Sequence, residues 1–154
     1  MEDMSQISDV PAKQQLTSTN RSLPIALLRA REKVMGPYRE MLAASGISEQ
    51  KWRVLRVVDE QGPITQARIA EAACLMLPSL TRILKAMEDD RLLTRETSAE
   101  DRRATMVDLT DNGRALIAQH SLQGKEIAKN LADTFGQERL DQLLDLLEEL
   151  RKLR

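Results

Sequence analysis

The sequence predicts a mainly α-helical chain interrupted by one small β hairpin. Three observations carry that expectation. Apolar residues recur at helical spacing through most of the 154 residues, the pattern of amphipathic helices. Aromatic residues make up only 2% (Tyr38, Trp52 and Phe135), so the core must come from Leu, Ile, Val, Met and Ala, the inventory of packed helices. Between Leu92 and Leu109 the apolar period shortens to two, as a strand requires.

Residues 1–20 carry three acids and one base without periodicity and are expected to form a mobile arm. Ser22 precedes a long helical pattern in which Pro24 falls in the first turn, where its missing N–H costs little. Ile25, Leu28, Met35, Tyr38, Met41 and Leu42 continue it to Ser45-Gly46. Pro37 lies inside, so a kink or break near Gly36 is expected.

Ser48 caps a second helix with Trp52, Val54, Leu55 and Val58 on its apolar side, ended by Gln61-Gly62-Pro63. A short third helix follows the capping hydroxyl of Thr65 and packs through Ile69, Ala70 and Ala73. A tight connection leads to Pro78-Ser79 and a fourth helix, which buries Leu80, Ile83, Leu84 and Met87. That leaves Ser79, Thr81, Arg82 and Lys85 off the apolar side. Leu92–Thr97 and Thr105–Leu109 read as two strands joined by a charged tip, Ser98 to Arg103. Thr110 caps a long helix through Leu116, Ile117, Ile127 and Leu131. Gly136 separates it from a last helix bearing Leu140, Leu143, Leu144, Leu147 and Leu150.

Two short helices joined by a tight turn and followed by a hairpin form a winged helix-turn-helix, and this order points to DNA. The second helix of such a pair enters the major groove and the hairpin protrudes beside it. Ser79 and Thr81 are small enough for close approach, and Arg82 can contact guanine bidentately or grip a phosphate. Lys85, a turn further on, suits the backbone. Arg102 and Arg103 at the wing tip can reach a narrow minor groove, and Asp101 is expected to pair with one of them. Taken singly, each of these is equally a solvated helix face or a surface salt bridge.

Net charge is −1, but its distribution is uneven. From Arg21 to Arg56 eight Lys/Arg stand against three Glu. Whole-chain charge therefore does not exclude nucleic acid. No stretch approaches the roughly 18 apolar residues of a membrane span, and the start lacks a signal-peptide layout. One cysteine, Cys74, leaves no intrachain disulfide, which suits the cytoplasm. His120 is the single histidine; with no nucleophile–base constellation, Gly-rich phosphate loop or zinc ligand set, neither an enzyme nor a cofactor is expected.

Asp101-Arg102-Arg103 followed by Val107, then Leu109-Thr110-Asp111-Asn112-Gly113, resembles the wing and following helix start of MarR-family repressors. The run Pro78-Ser79-Leu80-Thr81-Arg82-Ile83-Leu84 with Met87-Glu88 is similar to their recognition helix. The likeness extends from about Leu23 to the C-terminus. Leu27–Glu32 and Ser48–Arg56 resemble the subgroup that represses homoprotocatechuate (4-hydroxyphenylacetate) degradation operons. Arg91 stands where the family commonly has glycine, so the turn there is expected to differ in shape.

The resemblance implies a homodimer interlocked through its first and last helices on a pseudo-palindromic operator, released by a small aromatic carboxylic acid. After the arm expected at 1–20, it implies an N-terminal dimerisation helix at 21–46, a DNA-binding lobe at 47–110 and C-terminal dimerisation helices at 111–154. Ser79, Thr81 and Arg82 would read the major groove and Arg103 the minor groove, oriented by Asp101. Arg29, with Arg31 or Arg53, would hold the acid's carboxylate, and Trp52 would line its pocket. The alternatives are that these arginines are inter-subunit salt bridges or solvated surface, and that Trp52 is plain core. Cys74, just ahead of the recognition helix, is either a redox switch or a small hydrophobe. The rival from another class is an interaction adaptor that keeps the scaffold, does not bind DNA and docks through Leu140–Leu150.

Overall fold

The computed structural model describes Leu16 and residues 18–154. Most of the arm expected at 1–20 lies outside the described residues, but its end does not: Thr19–Arg21 form a 3-10 turn capped by Ser18. The described residues up to Met35 make one compact unit and Gly36–Arg154 a second.

In the first unit Ser22 leads into helix α1 (Leu23–Ala43). Arg29 Nη1 donates to Asn20 Oδ1 at 3.3 Å, and Arg31 lies 3.6 Å from Glu32. Leu23, Leu27, Leu28 and Val34 are exposed. The break expected at Gly36 is absent, because α1 is assigned as one helix with Pro37 inside it. A proline removes one backbone donor, and the other hydrogen bonds of a 21-residue helix outlast that loss.

The second unit follows the expected order. Helix α2 (Glu49–Gln61) is capped by Ser48, whose hydroxyl accepts from the Lys51 N–H. Strand β1 (Ile64–Thr65) precedes α3 (Gln66–Ala72), and α4 is Leu77–Asp89. Strands β2 (Leu93–Thr97) and β3 (Thr105–Leu109) form the hairpin, with Leu93 opposite Leu109 and Thr97 opposite Thr105. Helices α5 (Asp111–Phe135) and α6 (Gln137–Arg151) follow, separated by Gly136 at φ 100°.

The expected two-stranded wing is a three-stranded antiparallel sheet ordered β1-β3-β2. Ile64 pairs with Val107 and Thr65 with Met106. Two residues are too few to show alternation in a sequence, and Thr65 serves both as strand end and as helix cap.

The core lies where α2, α3 and α4 meet the sheet. Val54, Leu55, Ile69, Leu80, Leu84 and Val107 are each fully buried, every such side chain stabilising by about 1.5–3 kcal/mol. Ile83, expected in the core, is partly buried against its edge.

The turn at Arg91 keeps the left-handed form that glycine would favour, contrary to the expected change of shape: φ is 60°. The Arg91 N–H donates to the Glu88 carbonyl and the Leu92 N–H to the Met87 carbonyl, each at 2.9 Å. This double closure satisfies the last carbonyls of α4 and holds arginine in a conformation that costs about 1–2 kcal/mol outside glycine. Cys74 ends α3 in the same way at φ 52°, with bonds from Cys74 to Glu71 and from Leu75 to Ala70.

Candidate nucleic-acid interface and a second cavity

Helix α4 opens Leu77-Pro78-Ser79 with no acid in its first turn and no side-chain cap, so its N-terminal amides carry the positive end of the helix dipole unopposed. Arg82 and Lys85 are exposed, Ser79 is half-buried, and neither Arg82 nor Lys85 makes an ion pair among the described residues. The Thr81 hydroxyl donates to the Leu77 carbonyl at 2.9 Å and accepts from Nε2 of Gln66.

The wing tip is built from short side chains bonding to backbone. The Ser98 hydroxyl accepts from the Glu100 and Asp101 N–H groups, both at 3.3 Å, and the Ser98 N–H closes the hairpin on the Ala104 carbonyl at 2.9 Å. The expected pairing of Asp101 with an arginine side chain is corrected. Its Oδ1 accepts from the backbone N–H of Arg103 at 3.0 Å. A carboxylate two residues ahead reaches that amide more directly than the end of a flexible guanidinium. Asp101 thus shapes the turn that carries Arg103, and both Arg102 and Arg103 are exposed without ion pairs among the described residues.

Between wing and helices lies a cleft of about 580 Å³ lined by Thr65, Gln66, Leu77, Asp101, Arg103 and Thr105. Exposed cations thus stand on α4 and at the wing tip, with an open cleft between the two elements. Glu88 at the end of α4 accepts from both the N–H and the guanidinium of Arg95 on β2, at 3.2 and 3.0 Å.

A second cavity, about 230 Å³, is walled by Tyr38 of α1, Trp52 and Arg56 of α2, and Ile117, His120 and Lys125 of α5. The rings of Trp52 and His120 meet edge to face, 5.8 Å apart at 90°. His120 is 4% exposed, and its Nε2 lies 2.8 Å from the Ser45 hydroxyl. Arg56 pairs with Glu60 at 2.8 Å, whereas Lys125 makes no ion pair among the described residues.

Of the residues singled out for an effector, Trp52 lines this cavity. Arg53 does not, and its buried Nε has no hydrogen-bond partner. Arg29 and Arg31 belong to the first unit. Arg56, His120 and Lys125 are not evident from sequence because the wall is assembled from three helices distant in sequence. The available signal was Arg56 one helical turn after Trp52, on the same face.

Fold and surface together define a winged-helix DNA-binding transcriptional regulator. The chain belongs to the MarR family, whose sequence pattern matches residues 47–105. It is 38% identical to the homoprotocatechuate degradative operon repressor of Escherichia coli over 128 residues, 83% of this chain and 86% of that one. Among solved structures it resembles NadR in complex with 4-hydroxyphenylacetate, at 32% identity and a TM-score of 0.80 over 91% of this chain and 99% of that one. It also resembles the transcriptional repressor CouR bound to a 23-mer DNA duplex, at 26% identity and a TM-score of 0.77 over 92% of this chain and all of the other. No helix among the described residues is long and apolar enough to cross a membrane.

Proposed function

We propose that this protein is a homodimeric repressor of an aromatic-compound catabolic operon, released from a pseudo-palindromic operator when a one-ring aromatic carboxylic acid binds. The observation that carries this is the cavity joining an indole, a phenol, an imidazole and two cations: Trp52, Tyr38, His120, Arg56 and Lys125. An aromatic face with cationic groups is the surface an aryl acid needs, the ring stacking and the carboxylate pairing. At about 230 Å³ the cavity is below the roughly 300–1,000 Å³ of sites for drug-sized ligands, which suits a single ring. The relatives support the same reading: one represses a homoprotocatechuate operon and another holds 4-hydroxyphenylacetate.

Ser79, Thr81 and Arg82 read the major groove, Lys85 holds phosphate, and Arg102 and Arg103 enter the minor groove on a turn shaped by Asp101. A second copy covers the leucines that α6 leaves exposed, among them Leu143, Leu144 and Leu147, and those of α1. Repression is steric, a dimer occupying promoter DNA. Because α2 both walls the cavity and packs against α3, α4 and β3, an acid wedged beside Trp52 bears on the DNA-reading elements.

The test is fluorescence anisotropy of a labelled operator titrated with 4-hydroxyphenylacetate and with homoprotocatechuate. Release by either at micromolar to millimolar concentration is the expected result. Operator binding indifferent to both, and to other one-ring aromatic acids, would overturn the effector assignment.

A further inference from the structure

Thr81 stands beside the exposed Arg82 on α4, yet its hydroxyl is engaged within the protein. Its proton goes to the Leu77 carbonyl one turn back, at 2.9 Å, and a lone pair is taken by Nε2 of Gln66. Gln66 is the first residue of α3, so this bond crosses the turn of the helix-turn-helix and sets the rotamer of Thr81 from the neighbouring helix. A threonine hydroxyl has one proton and two lone pairs. With the proton committed, it cannot donate to the acceptor atoms of guanine or thymine. What the side chain has left to offer is one lone pair, on an oxygen already held by two partners inside the protein, and its methyl group. In the major groove the thymine C5 methyl is the apolar feature of the base code, and a threonine methyl is among the groups that recognise it.

We propose that Thr81 recognises a thymine in each operator half-site by methyl-to-methyl contact, and that Gln66 is the positioning residue that turns the hydroxyl away from the groove. The proposal rests on the exposed face of α4 being the base-reading face. It differs from the ordinary expectation for a hydroxyl in a groove, which is hydrogen bonding, and it adds Gln66 to the residues that determine sequence preference.

The experiment uses the full chain and an operator selected by it from a random pool of duplexes. Symmetric thymine pairs are replaced one at a time by deoxyuridine, which lacks only the methyl, and affinity is read by anisotropy. One pair is expected to weaken wild-type binding by roughly fourfold per half-site, the worth of one methyl-sized group. Thr81→Val keeps the methyl and should keep that penalty, Thr81→Ser should abolish it, and Gln66→Ala should reduce it. If no deoxyuridine penalty depends on residue 81, or if Thr81→Ser retains it, the proposal is overturned. Arg82→Ala separates the two levels. Should it weaken binding while the penalty ignores residue 81, only the methyl contact fails. Should neither Arg82→Ala nor Thr81→Ser change operator binding, the assignment of the α4 face falls and the contact with it.

Discussion

Glu88 and Arg95 are joined twice: one carboxylate accepts from both the backbone N–H and the guanidinium of the same residue, at 3.2 and 3.0 Å. The bond ties the last turn of the recognition helix to the first wing strand. The Arg95 guanidinium, chiefly through this hydrogen bond, holds the Glu88 carboxyl below its ordinary value of 4.5 against the opposing pull of burial. A depressed carboxyl stabilises the fold above its unfolded value and loses that contribution as pH falls through the folded one. Glu88→Gln should therefore lower stability at neutral pH, converge with wild type at acid pH and so flatten the acid limb of the stability–pH curve, as measured by urea denaturation from pH 3 to pH 8.

Arg91 and Cys74 hold left-handed conformations at φ 60° and 52°. Replacing either with glycine relieves the side-chain clash but adds freedom to the unfolded chain, a net gain of about 0.5–1 kcal/mol. Urea midpoints for Arg91→Gly and Cys74→Gly should rise, while Cys74→Ser, which keeps a Cβ, should not.

Gly113 shows the reverse. A Cβ built there would lie 2.2 Å from the Leu92 carbonyl oxygen, a backbone atom that cannot swing aside. That oxygen already accepts from the Thr110 N–H at 3.1 Å. Gly113→Ala should cost about 1–3 kcal/mol from overpacking and lower the thermal midpoint by several degrees.

The exposed cations should separate by role. Arg82→Ala is expected to weaken operator binding by roughly tenfold or more and to relax sequence preference at one position. Lys85→Ala should weaken all duplexes about equally and reduce the salt slope by about one. Binding isotherms between 50 and 200 mM salt distinguish them.

For the cavity, Lys125→Ala and Trp52→Ala should each weaken binding of 4-hydroxyphenylacetate by roughly tenfold in calorimetry, through loss of a charge-assisted bond and of the stacked ring respectively. Affinity for the operator without the acid should be unchanged.

Much of the architecture is legible in sequence because each helix carries its own punctuation. Ser48, Thr65 and Thr110 all cap where their positions predict, each accepting from the amide three residues on. The wing motif is legible too, and the structure supplies its reasons. Thr110 donates to the Arg91 carbonyl at 2.6 Å and accepts from Gly113 at 3.1 Å, and Gly113 leaves room for Leu92. What escaped sequence reading depends on pairs that only folding brings together. Glu88 and Arg95 are separated by a turn, Gln66 and Thr81 by a whole helix, and Trp52 and His120 by two helices and the sheet. The sequence places Asp101 at the wing tip but does not fix its partner, because a carboxylate can serve an amide or a guanidinium and only the turn geometry decides.

The short strand β1 has a mechanical consequence. Its pairing with β3 splices the segment between α2 and α3 into the same sheet as the wing, while the Glu88–Arg95 bond fastens α4 to the sheet's far strand. These two links couple α4 and the wing mechanically, the elements proposed to probe the major and minor grooves. In the repressor proposed above, a push on α2 would displace both probes as one lever, so the two grooves would be vacated together.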